Sequence, residues 1–494
     1  MLSIQKKLTN SFYALLSLPA TAMGFALSIQ ISALSWILTT KYHLNIHDVG
    51  LVWAAGPIAG ILGQVIIGII SDNVWLWKGR RRPFILIGGV LAALMLLALP
   101  NIDVISSSMG IEGILGVAIA VALTLDLAIN ISFNPTRSII ADVTPEGVER
   151  TKGYSWMQTV SGTFGVLAYV IGAVWNNYVL IYFGVFLVLA LSIVPTFFID
   201  EPRELKKSED DEGLEKSSSS FSEILNNISP LWGFLIYSVY ALTARMLKFE
   251  MDNYYVEILC FFITIAFILK ALLKTTEGLS KSKAGIIGFK KVLAAHSFTW
   301  IGIQTMFVYM FAYVQYKVIL PAGLAKADME FEQGRVVTIS FLILNAVGAL
   351  LPALVLEPIT RKIGRVKTHA ICISTMALGY AGMIFIGYTP MAIYFMMAVL
   401  GIGWAATISL PFAIMSQKVD QAKMGLFMGL FNLAVVLPQL VASFGVGQAV
   451  SKAADKNLIF IICAVTLAIS AVLWFMVKDD APETEINTVA AKGH

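Results

Sequence analysis

The stretch Gly56–Phe84, "GPIAGILGQVIIGIISDNVWLWKGRRRPF", passes from an uncharged apolar run through Asp72 to the basic cluster Lys78–Arg82, then into a second apolar run, Phe84–Leu99. About 20 apolar residues carry a helix across a bilayer core, and Lys and Arg are retained in short cytoplasmic loops. The stretch therefore reads as a membrane-spanning helix, a cytoplasmic turn and the start of the next span. Its glycines, as in "GPIAGILG", read as close helix contacts rather than a phosphate-binding loop.

Composition extends this reading to the whole chain. Of 494 residues, 57% are hydrophobic and 13% charged, with a mean hydropathy of +0.78. Soluble domains average roughly 25% charged residues. The net charge of +4 is small, and the basic residues cluster between apolar runs, which suits membrane topology rather than nucleic-acid binding. Cys260, Cys372 and Cys463 lie in apolar runs at spacings that suit packing, not disulfides or a metal site. His43 and His47 fall in an expected outer loop, and His296 and His369 near span ends, so no histidine is placed for a catalytic pair. With no nucleophile–base pair, metal cluster or cofactor loop, an enzyme is not expected. "MLSIQKKLTNSF" leads into an apolar run without a small-residue cleavage site and reads as a retained first helix.

Six spans are expected in the first half: Phe12–Thr39, Val49–Ile70, Phe84–Leu99, Ile111–Arg137, Tyr154–Trp175 and Val179–Phe198. Six more follow in the second: Val292–Tyr316, Val336–Leu356, Ile371–Ile386, Met391–Met415, Met424–Phe444 and Leu458–Met476. Between them, "DEPRELKKSEDDEGLEKSSSSFSEI" cannot cross a membrane and reads as a flexible linker. Two further apolar runs, Pro230–Ala244 and Tyr254–Leu273, fit an inserted helical hairpin, with an interfacial or re-entrant pair as the alternative. The expected protein is all-α and polytopic, with about 12 + 2 spans. Residues 1–200 form an N-terminal six-helix bundle, 201–228 a cytoplasmic linker, 229–276 the hairpin, 277–480 a C-terminal six-helix bundle and 481–494 a cytoplasmic tail. The basic clusters fall on one side, which makes both termini cytoplasmic. The expected setting is a plasma membrane, such as a bacterial inner membrane, with the chain as a monomer in lipid.

The two halves echo each other. "GIISDNVWLWKGRRR" after the second span answers "LEPITRKIGR" after the eighth, and "DEPR" after the sixth answers "DDAPET" after the last. Matched cytoplasmic motifs imply duplicated bundles, the architecture of many secondary transporters. At these residues the chain resembles the plant sucrose–proton symporters and their animal and bacterial relatives within the major facilitator superfamily. "GPIAGILGQVIIGIISDN" with "GRRRPF", "LDLAINISFNPTRSIIAD", "LEPITRKIG" and "MGLFMGLFNLAVVLPQLVAS" carry the resemblance, in that order. It implies the major facilitator fold and proton-coupled uptake of a sugar, an α-glucoside such as sucrose or maltose. It also implies that Asp126 is the proton site beside the bound sugar. Four departures bear on the sugar rather than on the mechanism. Phe133 stands where the plant pattern has Gln, Ile129 where it has Asn, Asn73 replaces an Arg, and "TMFVYMFAYV" lacks the acids of the seventh span.

The residues carry their own argument. Asp126 precedes Arg137 by 11 residues, which places it about 16 Å deeper along a helix. An ionised carboxylate there costs several kcal/mol unless paired or hydrated, while the protonated form is much cheaper, which suits a proton carrier. Asn130 and Phe133 follow at i+4 and i+7 on the same face. An amide can take sugar hydroxyls and a ring can stack on the sugar's apolar side. The plain alternative is an acid hydrogen-bonded to a neighbouring helix for packing, but intramembrane acids are more often functional. Gln30, Gln64, Gln158, Tyr313, Trp404, Asn432 and Gln439 are further substrate candidates, each equally able to serve as an interhelical contact. Asn432 and Gln439 share a face, with Pro438 bending the helix between them.

Near the cytoplasmic ends sit Asp72, Arg80, Arg81, Arg137, Asp142, Glu357, Arg361 and Arg365. They either fix topology or form ion pairs that close the cytoplasmic side and break when it opens. The chain thus reads as a proton-coupled sugar symporter working by alternating access, without cofactor, metal or nucleic-acid partner. The alternatives are a non-transporting membrane sensor on a transporter-like body, sodium coupling, or another glycoside. Asp126 and the gate motifs favour transport.

Overall fold

The computed structural model describes residues 3–60, 75–77, 79–111, 113–145, 148–202, 221–247, 254–276, 278–419 and 424–478. Among the described residues there is no strand, apart from an isolated bridge between Leu76 and Gly79. The helices used below are α1 (Asn10–Thr40), α2 (Ile46–Trp53), α3 (Arg82–Ala98), α4 (Ile114–Val143), α5 (Val148–Val174), α6 (Asn177–Phe198) and α7 (Phe221–Asn227). They continue with α8 (Trp232–Met246), α9 (Tyr255–Leu272), α10 (Lys281–Lys317), α11 (Lys326–Leu351), α12 (Arg365–Ile386), α13 (Pro390–Ser409), α14 (Met424–Val441) and α15 (Leu458–Phe475).

Twelve helices among the described residues are long and apolar enough to cross a membrane. The expected span Val49–Ile70 is not among them because its residues 61–70 lie outside the described set. The hairpin helix α9 joins the twelve, whereas its 15-residue partner α8 does not. Several helices outrun their apolar cores: α10 begins at Lys281 rather than Val292 and runs for 37 residues. Once a helix is nucleated, each added residue gains a hydrogen bond for little cost, so polar flanks continue it into water. His47 lies in α2 rather than in a loop, because the Asn45 side chain accepts from the Asp48 amide at 2.9 Å and caps that helix.

Packing groups the chain into two compact units. The first comprises Met1–Glu212 with Val308–Gln315 and Leu320–Leu342, and the second comprises Gly213–Phe307, Tyr316–Ile319 and Ile343–His494.

In the first unit, α1 packs on α4, α5 and α6, while α3 packs on α4 and α6. Lipid supplies no hydrophobic drive between helices, so small residues that let backbones approach hold such contacts together. A Cβ on Gly88 would lie 2.6 Å from the Ala128 carbonyl oxygen and 2.4 Å from Ser132 Oγ. Gly88→Val must therefore push α3 off α4. The expected cost is about 1–3 kcal/mol, seen as a lower melting temperature in detergent. Melting unchanged from wild type would refute this reading of the contact.

In the second unit, α12 packs on α13 and α15, and α8 packs on both α9 and α14. Gly233 lets α8 meet α9: its Cβ would fall 1.9 Å from Thr264 Oγ1 and 2.4 Å from the Cys260 carbonyl. Two five-residue π-helical turns, Pro352–Leu356 and Ala442–Val446, interrupt the α-helical ladder after α11 and α14. Pro438, four residues before the second, sits inside α14 where the sequence suggested a bend.

Candidate functional site

Asp126 lies in the middle of α4 and is buried, at 6% exposure. Its Oδ2 accepts a hydrogen bond from Gln30 Nε2 on α1 at 3.0 Å. Among the described residues no cation pairs with it and no second donor reaches its carboxyl. One amide does not offset the desolvation of a full negative charge, so the ionised carboxylate is costly here and a bound proton is the ready remedy. Gly56 keeps the place open, since a Cβ there would stand 3.3 Å from Asp126 Oδ2 and 3.5 Å from Oδ1.

Next along the same face, the Asn130 amide donates to the Asp126 main-chain carbonyl at 2.8 Å. The Phe133 ring lies under the Arg137 guanidinium, whose carbon is 4.4 Å from the ring centroid. The stripe Asp126–Asn130–Phe133 thus continues into Arg137 by a cation–π contact. Gln158 is exposed on α5, and Tyr313 is buried in the first unit. Gln64 and Asp72 lie outside the described residues, as does the side chain of Glu357.

At the start of α3 the structure supplies a residue that sequence reasoning missed. Both oxygens of Glu201 accept main-chain amides: Oε2 from Arg80 and Arg81, each at 2.8 Å, and Oε1 from Arg82 at 2.7 Å. A Cβ on Gly79 would meet Glu201 Oε1 at 2.8 Å, so the turn needs glycine where the carboxylate docks. Consecutive amides at a helix N-terminus form an anion cradle, here filled by the chain's own acid. From the same turn, Arg81 Nε donates to Asp142 Oδ2 at 3.1 Å, and the two side chains are 8% and 10% exposed. Of the arginines and acids proposed as gates, this pair is joined. Arg137 is instead seated on Phe133, and Arg361 is exposed on the short helix Glu357–Ile363. Arg365 opens α12, half-buried. The signal for Glu201 was present in "DEPR", echoed by "DDAPET" after the last span, but its partners were not.

A second polar knot ties the far end of α1 to α11 within the first unit. Ser32 Oγ and Thr338 Oγ1 share a hydrogen bond at 2.9 Å, and Thr338 also donates to Asn177 Oδ1 at 3.2 Å. Trp36 Nε1 donates to the Glu330 carbonyl at 3.1 Å, and Gly334 leaves room for the indole, 2.8 Å from where a Cβ would sit.

In the second unit, Trp404 on α13 donates to Asn345 Oδ1 at 3.3 Å and stands edge-on to Trp300 and Phe307, with centroids 6.3 and 5.4 Å away. This aromatic corner with an amide beside it suits a ring that carries hydroxyls. Asn432 and Gln439 are half-buried on α14. His296 and His369, kept apart by the sequence, both lie against Trp474, at 6.3 and 4.3 Å between centroids.

The chain matches the Major Facilitator Superfamily over residues 16–443 and belongs to that family. It is a multi-pass membrane transporter, not an enzyme. It is 24% identical over 465 residues to the Sucrose transport protein SUC4 of Arabidopsis thaliana, covering 87% of this chain and 82% of that one. A shorter match, 30% identical over 174 residues, joins it to the General alpha-glucoside permease of Schizosaccharomyces pombe, with the match spanning 31% of that permease. Among solved structures, an auto-inhibited POT family peptide transporter superposes with a TM-score of 0.64 at 11% identity, over 95% of this chain and 98% of that one. A mutant of the nucleoside transporter NupG gives 0.62 at 13% identity, over 94% and 100%. At such identities these structures speak for the fold alone.

Proposed function

We propose that the protein is a proton-coupled sugar symporter that carries an α-glucoside by alternating access, with Asp126 as the group that gains and loses the coupling proton. The observation that carries this is the buried carboxyl held by the neutral Gln30 amide without a cation partner among the described residues. The names of the relatives, sucrose transporters and an α-glucoside permease, supply the substrate class. Protonation of Asp126 from outside favours sugar binding beside Asn130, and deprotonation towards the cytoplasm resets the cycle. Within the first unit Gln30 is a polar group suited to hydroxyls, and within the second Trp404 with Asn345 forms a corner suited to a pyranose face. The Arg81–Asp142 pair helps, in this reading, to close the cytoplasmic side. In this reading both termini are cytoplasmic, in a plasma membrane, and the monomer is the working unit.

The test is uptake of radiolabelled maltose, sucrose and glucose into vesicles under an imposed pH gradient. Acid-stimulated uptake of maltose or sucrose well above glucose is expected. Acid-stimulated uptake of none of the three overturns the assignment of substrate and coupling.

A further inference from the structure

One buried and two exposed lysines lie towards the linker-side end of the inserted hairpin. Lys290 on α10 is buried, at 7% exposure, and its Nζ donates to Asn226 Oδ1 on α7 at 3.0 Å. Lys270, near the end of α9, and Lys274, just beyond it, are both exposed and close enough for their charges to act on Lys290. Among the described residues none of the three has an acid partner. Fixing topology requires only exposed lysines, which Lys270 and Lys274 already provide. Burying a third ammonium beside them, with one neutral amide as partner, runs against both desolvation and repulsion unless an anion completes the cluster. An ammonium has three N–H donors, and Asn226 takes one.

An apolar stripe runs along α9 towards the same end. Tyr255, Ile258, Leu259, Phe262 and Leu269 on α9, and Leu273 at its C-terminal cap, are all exposed, at 74%, 50%, 57%, 63%, 49% and 77%. Their spacing places them along one face of the helix, ending beside Lys270 and Lys274. A ligand that is anionic at one end and doubly aliphatic at the other complements both features, whereas a free anion has no use for the stripe.

We propose that this end of the hairpin is a binding site for an anionic phospholipid, whose headgroup phosphate is held by Lys290, Lys270 and Lys274 and whose acyl chains lie along the exposed face of α9. The charge complementarity is that of basic pockets between membrane helices towards lipid headgroups.

The full-length protein, purified in neutral detergent, is titrated with fluorescent phosphatidylglycerol and with the matching phosphatidylcholine. Wild type is expected to prefer phosphatidylglycerol. The variant K270Q/K274Q changes two exposed positions and is expected to fold normally. It should weaken phosphatidylglycerol binding by about fivefold per lysine, the fold-change that corresponds to about 1 kcal/mol for each lysine at an anionic surface. K290Q should abolish the preference. Millimolar inorganic phosphate should leave bound lipid in place. Equal binding of the two lipids by wild type, or an undiminished preference in K270Q/K274Q, overturns the proposal. Displacement of the lipid by inorganic phosphate also overturns it, in favour of a free-anion site.

Discussion

Asp126→Asn is expected to abolish uphill sugar accumulation while leaving sugar binding and exchange intact. The size of the effect follows from the driving force. One proton per sugar gains about 2.3 kcal/mol from 100 mV and about 1.36 kcal/mol from one pH unit. Together these support an accumulation ratio of about 500-fold. Asparagine keeps the shape of the side chain and an oxygen to accept from Gln30 Nε2, now 3.0 Å from Asp126 Oδ2, so the contact between α1 and α4 survives. What it lacks is a group that changes charge. Accumulation in proteoliposomes should fall to a ratio near equilibration, whereas counterflow of labelled sugar, which needs no net proton movement, should persist. Accumulation that still follows the pH gradient in the variant would remove Asp126 from the coupling step. Absence of transport in the wild-type protein as well would favour a sensor built on a transporter body.

Glu201→Ala is expected to produce the largest structural loss of any single side-chain truncation at the start of α3. Three main-chain amides, those of Arg80, Arg81 and Arg82, share this one carboxylate. Hydrogen bonds to a charged group contribute about 1.5–3 kcal/mol each, and amides left unpaired add a desolvation cost. Water reaching a partly buried turn offsets much of that, so a net loss on the order of 3 kcal/mol is expected. The turn also positions Arg81 against Asp142, so transport should fall along with thermal stability. Glu201→Gln keeps one acceptor oxygen and should lie between alanine and wild type in both measurements. Wild-type melting and uptake in Glu201→Ala would show that the cradle contributes nothing.

These two sites differ in how far the chain discloses them. Asp126 could be read directly, because an acid amid "LTLDLAINIS", a stretch with no other charged residue, has few bland explanations. Its partner Gln30 was one of several glutamines with equal standing, since 96 residues separate the two. Glu201 stood in plain view in "DEPR", yet an acid just after a span looks like an ordinary solvated end. Its role depends on where the turn after Gly79 brings three amides. Trp404 was recognisable as a candidate, but Trp300, Phe307 and Asn345 are distributed over α10 and α11 and became a corner through packing alone. Phe133 shows the reverse. Sequence spacing placed it on the face of Asp126, and the structure shows its ring covered by Arg137.

The amino-acid sequence by itself determined that this chain is an all-helical membrane protein, where its apolar runs lie, and which acid within them is exceptional. The physical reason is that a bilayer offers no partner to backbone amides and carbonyls, so each crossing must be a helix with an unbroken apolar surface, and that requirement is written locally. The tertiary structure alone decided which polar groups meet: Gln30 with Asp126, Glu201 with the three amides, Arg81 with Asp142, and Lys290 with Asn226. Between membrane helices, contacts are selected by close packing at small residues and by single hydrogen bonds. Such pairings connect distant parts of the chain and leave no periodic trace along it.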